Sequence, residues 1–254
     1  MRSELAKFQK YDNTPLREEY NPIPGVISYD TNSNPTLHSP TAEYDIPFYL
    51  TKDMLMDVDL FRAFIKNCVY RFRRSRYYKQ YKAYLMSLGL DHSQILGNID
   101  DSMANIELHH NIITIFDITL MITEHIINTV GRATTFDVIQ CLIEEHHLNN
   151  IPIVMLDETS HEKYHDDSES FLPPTMTFGR WWVLLYKYRY GISMDIAKKI
   201  LRYISKYYNN ADVLSIQLRS DILSFASYNE YGAGYNTSMA IPINDENIKE
   251  DELL

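Results

Sequence analysis

Apolar residues recur at helical spacing along most of the chain beyond residue 50. The stretch from Asp53 to Leu88 repeats apolar side chains every three or four positions, and Gly89 follows it as an exit signal. This period predicts an amphipathic helix. The same spacing predicts further helices over Ile112–Thr129, Thr135–His147 and two C-terminal stretches, 178–191 and 193–208.

Two short segments between these helices have the character of strands. They are Asn105–Asn111 (NIELHHN) and Ile151–Leu156 (IPIVML). After the second strand, Thr159 or Ser160 is expected to cap another helix, because both side chains accept hydrogen bonds from helical N–H groups. The pattern therefore predicts a mostly α protein with a small β element.

The composition is that of an ordinary globular protein, with 45% hydrophobic and 23% charged residues in a chain of 254. Cys68 and Cys141 are the only cysteines, which argues against a disulfide framework and fits a reducing compartment. The N-terminus has no apolar segment typical of a signal peptide, and no apolar run approaches the roughly 18 residues of a membrane span. We therefore expect a cytoplasmic protein with no membrane partner.

The charge is unevenly distributed. The formal net charge is −10, yet the segment from Lys66 to Lys82 contains no acid. Basic residues interleaved with aromatic ones can bind phosphates and stack on exposed bases. An ordinary solvated helix face is the alternative interpretation. The candidate nucleic-acid-binding residues are Arg71, Arg73, Arg74, Arg76, Lys79 and Lys82.

Four histidines form two compact groups. His109 and His110 are adjacent in the first predicted strand, and His161 and His165 lie four apart, on one face of a predicted helix. Imidazole suits transition metals. Adjacent strand residues point to opposite faces, so one of the pair can bind a metal while the other acts as a base. A Lewis acid and a general base are what metal-assisted phosphodiester hydrolysis requires.

This arrangement resembles the HNH (ββα-metal) nucleases, in which a strand with a His-His pair precedes a helix with H-x3-H. More narrowly, it resembles a phage-encoded HNH-like group that combines three motifs in order. They are Arg73-x-Ser75-x-x-Tyr78, the stretch Glu107–Ile118 (ELHHNIITIFDI) and the segment Thr159–His165 (TSHEKYH). The resemblance spans roughly residues 70–190.

The resemblance implies a set of roles for these residues. His110 is the general base, and one divalent metal ion (Zn, Ni, Mn or Mg) is held by His109, His161 and His165. The implied activity is a divalent-metal-dependent endonuclease that hydrolyses DNA. Three further residues are candidates to orient the groups that touch the metal or the water: Glu107, Asn149 and Asn150.

Two departures from the pattern weaken the case for nuclease activity, and the missing Asn, the acidic net charge and the long N-terminal arm favour an alternative. Pro152 stands where the family's middle Asn would align, and the segment between the histidine groups holds two helices instead of a hairpin. The alternative is a catalytically degenerate HNH-fold protein with a structural or interaction role in a phage, with other phage proteins as partners.

Two further interpretations concern the segment His161–His165 and the pair His146 and His147. His161–His165 also matches the H-E-x-x-H motif of zinc peptidases, but Lys163 within the motif and Asp166–Asp167 after it oppose a buried catalytic helix. His146 and His147 end a predicted helix, where protonated imidazoles suit the helix dipole. We expect a structural role for them.

These observations divide the chain into five regions. A phage-encoded protein with this organisation is expected in the host cytoplasm or on the virion. The regions are an extended arm (1–50), a basic and aromatic helical region (51–100), an HNH-like core with a helical insertion (101–175), a C-terminal helical region (176–230) and an acidic flexible tail (231–254).

Overall fold

A computed structural model describes residues 36–37, 46–166 and 171–229, and helices dominate this part of the chain. The helices are α1 (Val58–Arg74), α2 (Arg76–Ser87), α3 (Ile115–Val130), α4 (Thr135–His147), α5 (Glu158–Asp166), α6 (Trp181–Lys187), α7 (Met194–Tyr207) and α8 (Val213–Ser227). The strands are β1 (Thr36–Leu37), β2 (Ile46–Pro47), β3 (Tyr49–Thr51), β4 (Ile106–His110), β5 (Arg132–Thr134) and β6 (Ile153–Asp157). The predicted class, mostly α with a small β element, is confirmed.

The described residues belong to a unit that begins at Thr36. Most of the predicted arm (1–50) and the whole predicted tail (231–254) lie outside the described residues. Within the described part, none of the helices combines the length and the hydropathy that crossing a bilayer requires.

The first predicted helix is divided in two. Asp57 caps α1 by accepting a hydrogen bond from the Leu60 N–H at 3.0 Å. At Ser75 the backbone becomes extended, and its hydroxyl accepts from the Tyr78 N–H at 3.2 Å, which starts α2. The single helix predicted over Asp53–Leu88 is therefore wrong at this position, because a serine with a strong N-cap preference competes with helix continuation.

Helices α3 and α4 occupy the centre of the fold, and each begins with a capping box. Thr114 and Asp117 exchange bonds at the start of α3, and Thr134 and Asp137 do the same at the start of α4. Such boxes satisfy two of the N–H groups that a helix start leaves unpaired. Helix α4 has the bounds that the pattern predicted, Thr135–His147.

The C-terminal helices pack on α3 through a close backbone contact. The turn Arg189–Gly191 lies against α3, and a Cβ at Gly191 would stand 1.8 Å from the carbonyl oxygen of Met121. Only glycine permits this approach. The main core then joins α3 to α1, α4, α6, α7 and α8.

Within the described part of the chain, the strands form three two-stranded antiparallel sheets. The one that positions the candidate site pairs β4 with β6, from Ile106 opposite Asp157 to His110 opposite Ile153. Backbone bonds from Gln94 and Phe178 cover the other edge of β6. Helix α5 follows β6 directly and packs against both strands, so the order is strand, strand, helix.

Candidate functional site

The β4–β6 sheet presents two different faces. Because successive side chains of a strand point to opposite sides, Glu107 and His109 share one face and His110 lies on the other. Their partners across the ladder are Leu156, Val154 and Ile153, respectively. We call the side with Glu107 and His109, which α5 covers, the histidine face, and the side with His110 the core face.

Helix α5 brings His161 to the histidine face. Its start is fixed by Asp157, which accepts hydrogen bonds from the Ser160 N–H at 3.0 Å and from the Ser93 hydroxyl at 2.7 Å. The expectation that Thr159 or Ser160 caps the helix is therefore wrong. The last strand residue supplies the cap, because its carboxylate reaches the N–H three positions later.

Four polar side chains meet at the histidine face: Asn105, Glu107, His109 and His161. The His161 Nδ1 atom lies 2.6 Å from Glu107 Oε2, and Asn105 donates to Glu107 Oε1 at 2.9 Å. The rings of His109 and His161 stand edge to face, with centroids 5.3 Å apart. The side chains of His161 and Glu107 are 17% and 33% exposed, so this group borders solvent.

The contact with Glu107 has a chemical consequence for His161. A neutral imidazole that donates from Nδ1 carries its lone pair on Nε2, the atom that binds metals when a carboxylate orients the ring. His109 and His161 can thus supply two nitrogen ligands. His165 lies in α5, but its side chain is outside the described residues.

A metal site needs more than these two ligands. Protein zinc sites use three or four, and within the described part of the chain no group of three His, Cys, Asp or Glu side chains is placed to hold a metal ion. The divalent ion therefore stays a prediction that depends on His165. Glu162 and Lys163 are exposed on α5, unlike the buried apolar helix of a zinc peptidase.

His110 lies on the core face and pairs with His146. The two Nε2 atoms are 3.2 Å apart, and His146 Nδ1 lies 2.6 Å from the carbonyl oxygen of Leu142. A carbonyl only accepts, so His146 donates from Nδ1 and accepts at Nε2. The Nε2–H of His110 therefore donates into the protein interior.

Burial keeps both rings of this pair neutral. His146 is packed between Phe72 and Tyr81, with ring centroids 4.7 and 5.2 Å away. Loss of hydration lowers the pKa of His146 to about 3. Burial also holds the pKa of His110 well below its usual value, and the nearby His146 and Arg73 lower it further.

These positions differ from two expectations. The family resemblance implies that His110 shares a cleft with the metal ligands, but strand alternation places it on the opposite face from His109 and His161. The structural role expected for His146 agrees with its place in the core, but protonation is not the cause, because burial lowers the pKa of both His146 and His147 instead of favouring protonated rings. For His146, desolvation outweighs the helix dipole.

The two candidate asparagines form the turn after α4. Asn149 adopts the left-handed conformation with φ 55°. Asn150 donates to Glu145 Oε2 at 2.7 Å and accepts from Arg180 at 3.2 Å. The amide of Asn150 is thus directed to Glu145 and Arg180 instead of to His110.

The six candidate nucleic-acid-binding residues divide into two groups around Ser75. Arg71 is partly buried and donates to Asn67 Oδ1 at 3.0 Å, and Lys82 is partly buried as well. The other four side chains are exposed: Arg73, Arg74, Arg76 and Lys79.

Sequence reasoning missed the part that His146 plays. No spacing rule links it to His110, 36 positions away. The clearest available signal was a histidine pair, His146-His147, at the end of an amphipathic helix, where one of the two must face inward.

A strand–strand–helix unit in a mostly helical fold does not by itself define a function, and comparison with known proteins supplies the class. A family model of bacteriophage G278-like virion proteins matches residues 19–230. The chain belongs to this family, which confirms the predicted phage origin and fits association with the virion. Searches of curated proteins and of solved structures found no match. The resemblance to HNH nucleases stays a prediction.

Proposed function

We propose that this protein is a structural or interaction component of the phage particle, built on an HNH-like ββα framework that does not hydrolyse nucleic acid. The observation that carries the proposal is the hydrogen bond from His110 to His146 on the core face. The family resemblance implies that His110 is the general base, but its Nε2–H donates a hydrogen bond into the protein interior.

A general base must reach the water that it activates, within about 3 Å or through one bridging water. His110 would reach water near His109 and His161 only if β4 shifted by one residue, and such a shift moves every side chain of a strand to the other face. Ile106 and Leu108, both buried on the core face, would then leave the core. The register that buries them thus keeps His110 away from the histidine face.

A DNA endonuclease is the second candidate, and one observation favours it. Glu107 orients His161 beside His109 on a strand–strand–helix unit, as expected of ligands for one divalent ion. His165, one turn further along α5, would complete the set. In this alternative a group other than His110 would have to activate the water.

The deciding experiment is cleavage of supercoiled plasmid by the purified full-length chain with Mg²⁺, Mn²⁺, Ni²⁺ or Zn²⁺. We expect no cleavage with any of them. Cleavage that needs a metal and disappears in His161→Ala would overturn the proposal. His125→Ala is the matched control, because His125 packs between Tyr188 and Tyr190, away from both sheet faces.

The particle role has its own test. Quantitative mass spectrometry of purified virions should detect this chain at a constant number of copies per particle. A chain that is abundant in infected cells but absent from purified particles would contradict the proposal.

A further inference from the structure

The junction of α1 and α2 concentrates positive charge on the surface. Ser75 ends one helix and starts the next, so Arg73 and Arg74 lie in the last turn of α1, and Arg76 and Lys79 lie in the first turns of α2. All four side chains are exposed. We call these four residues the basic corner.

The basic corner has no acidic partner among the residues that the structure describes. None of its four side chains takes part in an ion pair there, although the whole chain carries 34 acidic and 24 basic residues. Four like charges within seven positions repel one another. Their positive field is therefore available to an anionic partner.

Aromatic rings border the basic corner. Arg74 lies over the ring of Tyr70, 5.1 Å from its centroid. Tyr77, which follows Arg76, is 39% exposed. Basic groups beside exposed rings match the two chemical parts of a nucleic acid, its phosphates and its bases.

We propose that the basic corner binds the phosphodiester backbone of nucleic acid, so that this virion protein contacts the phage genome. The proposal goes beyond the particle role and does not depend on the histidine face. The charge of Arg73 also reaches His110, on the core face. An acidic protein surface is the competing partner, and the test includes it.

The test measures fluorescence anisotropy of a labelled 30-base-pair duplex, and of the single strand of the same length, with the full-length protein from 50 to 200 mM salt. Each bound phosphate should weaken binding roughly threefold over this range, which corresponds to a slope of about 0.9 in log K against log salt. The triple variant Arg73→Gln, Arg74→Gln, Arg76→Gln should flatten that slope by up to about 0.9 for each phosphate that the variant no longer binds.

The matched control removes the same charge elsewhere. Arg62, Lys198 and Lys206 are exposed and outside the basic corner, so their triple Gln variant should keep the wild-type slope. Because all six positions are exposed, both variants should melt within a few degrees of the wild type. That measurement separates a loss of binding from a loss of folding.

Three results would overturn the proposal. They are no binding by the wild type at 50 mM salt, the same slope in the wild type and the corner variant, or equal losses of affinity in the two variants. Stronger binding to poly-glutamate than to either nucleic acid would assign the surface to an acidic protein instead. A stronger effect on the single strand would support the proposal and add the Tyr77 ring to the binding surface.

Discussion

The two faces of the β4–β6 sheet place neighbouring histidines in opposite environments. His110 is held in the core by His146, in a setting that keeps both rings neutral. His109, one residue earlier, is equally buried but stands beside His161 and its carboxylate partner Glu107, which border solvent. Adjacent histidines in a strand therefore lie in different chemical environments. A His-His motif alone does not show which face of the sheet each ring occupies.

The most severe test of this comparison replaces each neighbour in turn. His110→Ala should lower the free energy of unfolding by about 2–4 kcal/mol, because it leaves a cavity and removes the partner of His146 Nε2. His109→Ala removes an equally buried ring, but its neighbours His161 and Glu107 border solvent, so water can fill the space and the cost should be about 1 kcal/mol. Urea denaturation measures both. Equal losses of unfolding free energy in the two variants would mean that His109 and His110 contribute equally to stability.

A second test uses pH, through His146. Its folded pKa of about 3 lies below the value near 6.5 of the unfolded chain. As pH falls below 6.5, the unfolded chain takes up a proton that the folded protein refuses, so stability falls by up to about 1.4 kcal/mol per pH unit. Between pH 7 and 5 the wild type should therefore lose about 2 kcal/mol more than His146→Gln.

This difference is read from urea midpoints at several pH values. The two proteins are compared directly because burial also lowers the pKa of His110, His125 and His147, and these rings are present in both proteins. Parallel pH profiles would show that His146 binds a proton as readily in the folded protein as in the unfolded chain, which would contradict a pair held neutral on the core face.

The smallest expected effect belongs to the histidine face. A double-mutant cycle with Glu107→Gln and His161→Gln should give a coupling energy below about 1 kcal/mol, since both side chains are partly exposed. The coupling should weaken further in 0.5 M salt. A coupling energy of several kcal/mol would show that Glu107 and His161 interact as strongly as a buried pair on the core face.

Local signals in the sequence were sufficient for most of the elements. The helical period located α3 and α4, and the strands β4 and β6 overlap the predicted segments. Ser75 was missed because a period of apolar residues continues across a capping break, so periodicity alone does not reveal it. The cap at Asp157 was missed because this residue belongs to the strand β6 and its side-chain carboxylate also caps the helix α5.

The site was harder to predict than the elements. Spacing placed His161 on a helix, the resemblance to HNH nucleases implied that it lies beside His109, and the structure brings their rings together. His146 becomes the partner of His110 through the packing of α4 against the sheet, and this tertiary contact has no local signal in the sequence. The same holds for Asn150, whose amide is bound by Glu145 and Arg180.

The long insertion between the paired strands also affects how the protein folds. His110 and Ile153 face each other across the ladder, with 42 residues between them that include α3 and α4. Both helices carry their own start signals, and local contacts form earlier than contacts between distant parts of a chain. The sheet must therefore close late, after the inserted helices have brought its strands together. Glu107 and His161 meet only at that stage, which makes their contact a marker for completed folding of the whole unit.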